Sequence, residues 1–104
     1  MIRKAFTMPV HPDKHEEYEK RHSPIWPELA QLLKDHGVSN YSIFLHAESS
    51  RLFGYLEIAD EETWLKLRET EILKKWWASM KEIMPTHADN RPLSEPLKLV
   101  FHMD

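Results

Sequence analysis

The hydrophobic pattern predicts an α+β fold of the ferredoxin-like (βαββαβ) kind, a single domain over residues 1–104. Three observations predict it. Four runs read as strands, the first alternating at period two. Two longer stretches carry the helical period, and they fall between the first and second and between the third and fourth of those runs. A chain of 104 residues without cysteine is long enough for one core that needs no disulfide.

"IRKAFTMPV" places Ile2, Phe6, Met8 and Val10 on one face, with Lys4 interrupting, and reads as the first strand, ended by the turn "HPD". From Asp13 to His36 the pattern is helical but broken by "HSPIWP", because a residue before proline avoids helical dihedrals while proline itself suits a first turn. Two helical pieces result, with Ser23 expected to cap the second and Gly37 to stop it in the left-handed region. "NYSIFLH" and "RLFGYLEI" form a hairpin across "AESS". Asp60, Glu61 and Glu62 start the next helix, Thr70 restarts it, Leu73, Trp77, Met80 and Met84 mark its apolar stripe, and Pro85 ends it. "PTHADNRPLSEP" reads as a loop and "LKLVFHM" as the last strand.

Both hairpin strands carry apolar residues on both faces, yet two helices cover only one face of a four-stranded sheet. A second copy, packed sheet to sheet as a dimeric α/β barrel, is the expected cover. With 17 acidic and 14 basic residues the net charge is -3, which offers nothing to a nucleic acid. Only Gly37 and Gly54 occur, so glycine-rich phosphate cradles are excluded. No stretch reaches membrane-spanning length and none reads as a signal peptide, so the cytoplasm is the expected location.

Tyr18 and His22, four residues apart, share a helix face beside the break at Ser23 and Pro24, where a side chain can project into a cleft. A histidine there has a pKa suited to general acid or base work. His11 and His15 have the same spacing but no third ligand, and read as exposed residues rather than a metal site. Trp76 and Trp77 converge with Tyr18 and Tyr41 if the helices lie side by side over the second strand; such rings hold a polar ligand by its apolar face. Adjacent residues on a helix point about 100° apart, so the two tryptophans cannot share one stripe. Trp77 fits core packing and ligand contact equally and is placed at the border of the core; Trp76, off the stripe, is placed at the pocket rim.

The stretches "MIRKAF", "HEEYEKRHSPIWPEL", "NYSIFL", "KKWWASM" and "MPTHADNRP" together resemble the L-rhamnose mutarotases along almost the whole chain. The resemblance implies a homodimer that interconverts the α and β anomers of L-rhamnopyranose without metal or other cofactor. His22 matches the family's proton donor, and Tyr18, Tyr41, Trp76 and Trp77 match its sugar-contacting residues. A small-ligand-binding protein and a cofactor-free or haem-dependent oxygenase are the alternatives that share such a scaffold and aromatic pocket.

Overall fold

The computed structural model describes residues 1–104. Its elements are β1 (Ile2–Pro9), α1 (His15–Arg21), α2 (Pro27–Asp35), β2 (Val38–His46), β3 (Arg51–Ile58), α3 (Glu61–Lys66), α4 (Glu71–Met80) and β4 (Glu95–Leu97), with one 3-10 turn at Leu67–Glu69. The sheet is antiparallel with order β2-β3-β1-β4. This is the ferredoxin-like order the sequence predicts, each helix of the motif being built from two pieces.

Local chemistry explains most element ends. Asp60 accepts the Thr63 N–H and caps α3. Gly37 follows α2 with φ of 80°, a conformation in which a Cβ would also meet the Ala59 Cβ at 2.9 Å. Ser23, in contrast, caps nothing. α2 starts at Pro27 behind Trp26, whose extended ψ of 131° is what a following proline imposes; a proline in the first turn has no N–H to satisfy, so no side-chain cap forms. β2 begins two residues earlier than expected, at Val38, with a register irregularity between Ser39 and Ser42 where Asn40 takes a φ of 50°.

The last strand is shorter and lies upstream of the predicted "LKLVFHM". Only Glu95–Leu97 pair with β1, and residues 98–104 lie outside the sheet with Leu99, Val100, Phe101 and Met103 exposed. Alternation identified a segment suited to a strand but could not say where its partner is.

Met8 and Leu52 are buried under the helices with Leu29, Met80, Ile83 and Met84, while Leu56 and Ile58 form a second buried cluster with Val38, against which Phe6, Leu33 and Trp64 pack. Direct pairing puts Phe44, Phe53 and Thr7 together on the other face, and one row along come Ser42, Tyr55, Ala5 and Leu97. Phe44, Phe53 and Leu97 are exposed there. The sheet therefore has one dressed face and one bare face.

Candidate active site

The helix face is not completely closed. A cleft of about 1300 Å³ runs between helices and sheet, and Tyr18, His22, Tyr41, Trp76 and Trp77 all line it. Tyr18 comes from α1 and His22 from the residue that caps its C-terminal end, the tryptophans from α4, and Tyr41 from β2. Arg21 fixes the two helix ends to each other. Its guanidinium spans Glu17 on α1 at 2.9 Å, Glu82 just beyond α4 at 2.6 Å, and the Ser79 carbonyl.

The Tyr18 and His22 rings stack at 4.2 Å with 25° between planes, and the His22 ring meets the edge of Trp76 at 5.2 Å and 88°. His22 Nδ1 lies 2.8 Å from the Tyr18 carbonyl oxygen. A carbonyl only accepts, so Nδ1 carries the hydrogen and the neutral ring leaves Nε2 with a lone pair. Nε2 has no protein partner, and no partly buried side-chain polar atom is sealed away unpaired, so Nε2 is open to the cleft. Burial lowers the His22 pKa from its ordinary value, against a smaller opposing effect of the bond to the Tyr18 carbonyl, which favours the charged ring. His36 makes the same Nδ1 contact to Leu32 at the end of α2, at 2.9 Å, but does not line the cleft.

Both tyrosines are held as phenols. Burial raises Tyr18 well above the ordinary tyrosine range, and the nearby Tyr41 adds to the effect. Burial around the Tyr41 hydroxyl pushes that group up to about 12, although 39% of the residue surface is exposed. The two observations agree if the exposed part is the backbone and ring edge of an edge strand while the hydroxyl turns inward. Neither hydroxyl has a protein hydrogen-bond partner, so both are free to donate to a ligand, and neither is ionised near neutral pH.

Trp77 stands at the border of the core as the sequence suggests, but Trp76, expected at the pocket rim, is the more deeply buried of the two. Trp76 is 9% exposed and belongs to the core cluster with Met80, Ile83 and Met84, whereas Trp77 is half-buried and packs against that cluster's edge. Of the expected stripe, Met80 and Met84 are buried while Leu73 and Trp77 are only half-buried; Trp76 and Ile83 take the remaining core positions, and the cover from α1 and α2 decides which side of the helix is sealed. Trp26, at the start of α2, stands edge-on to Trp76 at 5.1 Å and 88°. Two residues that build the site were not expected. Trp26 backs Trp76, and its only sequence signal was its place before Pro27. Phe6 packs edge-on to Tyr41 at 6.3 Å and 79° and lies across Gly54, whose position inside a strand was the usable clue to a close approach. His11 and His15 do not converge on a metal: His15 Nε2 meets Ser50 Oγ at 2.9 Å, and no group of three or more potential ligands occurs.

The family model for L-rhamnose mutarotase matches residues 3–103. The chain belongs to the L-rhamnose mutarotase family. It is thereby a carbohydrate isomerase, one that interconverts sugar anomers. An L-rhamnose mutarotase of Oceanobacillus iheyensis is 58% identical over 104 residues, covering 100% of both chains. The crystal structure of the L-rhamnose mutarotase of Formosa agariphila superposes with a TM-score of 0.93 at 43% identity, again over 100% of each chain. A dimeric ferredoxin-like protein from an uncultured marine organism shares the fold alone, with a TM-score of 0.60 and 17% identity over 97% of this chain and 96% of that one. No helix is long and apolar enough to cross a membrane.

Proposed function

We propose that residues 1–104 act as one cytoplasmic, homodimeric L-rhamnose mutarotase domain in which His22 is the general acid and Tyr18, Tyr41, Trp76 and Trp77 hold the sugar. The observation that carries the reading is the convergence of these five side chains on one cleft with His22 Nε2 open to it. Ring opening needs a proton delivered to the ring oxygen while the anomeric hydroxyl loses one; the carbonyl carbon then rotates and the ring closes on its other face. His22 delivers the proton from Nε2 and takes it back on closure, while Nδ1 keeps its hydrogen on the Tyr18 carbonyl. The two phenols donate to sugar hydroxyls, and an indole face takes the C–H side of the pyranose. Neither phenol is ionised at neutral pH, so neither is the base.

The lowered pKa of His22 supports a second reading: the neutral ring takes the anomeric proton at Nε2 as a base. Saturation transfer between the α and β anomeric protons of L-rhamnose decides both questions. We expect acceleration that falls by about 10² to 10⁴ in His22→Ala. Acceleration identical to buffer for every sugar tried sinks the mutarotase reading. As a general acid His22 loses activity as pH rises through its lowered pKa; as a base it loses activity as pH falls through it.

The bare sheet face with Phe44, Phe53 and Leu97 exposed supports the homodimer, since a row of exposed apolar side chains on a sheet is what a sheet-to-sheet contact buries. Sedimentation at micromolar protein gives the check. A monomer there rejects it.

A further inference from the structure

α1 has seven residues and buries one side chain, Tyr18. Its start is tied to the turn between β2 and β3, where His15 Nε2 meets Ser50 Oγ at 2.9 Å. Its end, which presents His22, buries no aliphatic side chain: Ser23 and Pro24 beyond it are exposed, and the chain next packs on the core at Ile25. A helix held at its start and middle can still swing at its end, and His22 lies four residues past Tyr18, about 6 Å along the axis. A swing of about 10° around Tyr18 would move the imidazole by about 1 Å, a misplacement that can cost about 10² in rate.

Arg21 removes that freedom. It does not line the cleft, and its guanidinium is held by three acceptors. Glu17, one turn back on α1, takes the Nε hydrogen and so pre-orients the group. The Ser79 carbonyl is among the last four of α4, which have no partner inside that helix, and Glu82 stands just beyond. Ser79 in turn donates its hydroxyl to the Trp76 carbonyl at 2.6 Å. A continuous run of hydrogen bonds therefore joins the residue before His22 to Trp76, the ring that His22 meets edge-on. The Arg21, Glu17 and Glu82 side chains are 25%, 39% and 68% exposed, and ion pairs so open to water add little to stability. What a planar fork on three acceptors does fix is orientation as well as distance, which a lysine ammonium cannot.

Resting on the reading of His22 as the acid–base group, we infer that Arg21 is a positioning residue for anomer exchange: by pinning the end of α1 to the last turn of α4 it holds His22 at a fixed distance from the sugar in the cleft. Arg21 acts through His22 and has no place on the cleft wall. Its loss therefore slows the bound complex and leaves sugar affinity, carried by the rings that line the cleft, nearly unchanged.

Arg21→Lys, Arg21→Met and Glu82→Gln test this through saturation transfer, NMR of the His22 ring and urea unfolding on the same samples. Glu82→Gln keeps the test open where an arginine variant does not fold, since it alters one exposed side chain outside every helix and breaks the clamp from the α4 side. We expect kcat to fall about tenfold in Arg21→Met and about threefold in the other two, with KM within about twofold of wild type. The His22 ring protons, assigned by their absence in His22→Ala, are displaced by the stacked Tyr18 and the facing Trp76, and are expected to move toward the positions of a free histidine in all three variants. An arginine that only supports the fold would move the urea midpoint alone. Folded Arg21→Lys or Glu82→Gln with wild-type kcat and wild-type ring shifts overturns the proposal, as does a rise in KM with kcat unchanged. A fall in kcat with unmoved ring shifts also overturns it, because Arg21 would then not act through His22. Undiminished exchange in His22→Ala removes the reading of His22 and the role of Arg21 with it. A wild-type protein that accelerates no sugar while the ring shifts move in the variants removes the mutarotase reading and leaves the placing of His22 by Arg21 standing.

Discussion

Replacing Gly54 by alanine should destabilise the protein, against the usual direction. A glycine inside a strand ordinarily gives up about 0.5–1 kcal/mol relative to alanine, so propensity alone favours the substitution. The structure opposes it. A Cβ at Gly54 would stand 2.3 Å from Phe6 Cζ and 2.7 Å from both Cε atoms, which means the phenyl ring lies flat over the glycine and has to move bodily. Phe6 packs against both buried clusters, so its displacement is an overpacking problem of the kind that costs about 1–3 kcal/mol. The net is a loss of about 1–2 kcal/mol, or a Tm lower by several degrees, at about 4–8 °C per kcal/mol for a domain of this size. Since Phe6 stands edge-on to Tyr41, the shift should also disturb the cleft wall where the sugar is proposed to bind and, on that reading, raise KM more than it lowers kcat. Urea unfolding and saturation transfer on the same samples measure both. In a Phe6→Leu background the substitution should cost much less, the two changes being coupled through direct contact. Gly54→Ala at or above wild-type stability, or strict additivity with Phe6→Leu, would refute the reasoning.

The tryptophans should separate. Trp76→Ala, in the core, is expected to lose about 3–5 kcal/mol in chemical unfolding, whereas Trp77→Ala loses less and has its main effect on KM for the sugar; equal losses from the two would contradict their different burial. The tyrosines give an alkaline signature. A phenol raised by folding adds stability that is complete below pH 10 and is lost as pH climbs from 10 through its folded value, about 12 for Tyr41 and higher for Tyr18. Ultraviolet titration should therefore show these two still protonated at pH 11 in the folded protein and ionised once urea is added.

What the sequence disclosed were the features decided within a few residues. Asp60 with its acidic first turn, Gly37 after His36, and "AESS" between two alternating runs each fix their own backbone and were readable without neighbours. Spacing offered Tyr18 and His22 as a pair, the packing of helices over the second strand suggested Tyr41, Trp76 and Trp77 beside Tyr18, and the family resemblance gave the five their expected roles. What escaped depends on distant elements. The helix around Trp76 and Trp77 admits two apolar stripes, and the choice is made by Trp26 and His22 arriving from elsewhere in the chain. Ser23 looked like a cap because it has the right side chain, but the second proline, Pro27, set the start of α2. The last strand was misplaced because "LKLVFHM" has strand character and no strand within its own sheet to meet.

His22 and His36 end α1 and α2 with the same device, an imidazole Nδ1–H turned back onto the carbonyl four residues earlier. That contact is first of all a way to satisfy an orphan carbonyl at a helix end. It also settles, before any substrate arrives, which nitrogen faces outward with a lone pair. The protein thus contains its own comparison: His36→Ala measures what such a cap is worth to the fold, and any further loss of stability in His22→Ala reports the packing of His22 on Tyr18 and Trp76. On the proposed reading, a capped helix end becomes an acid–base group by opening onto a cleft, its proton already oriented by the cap.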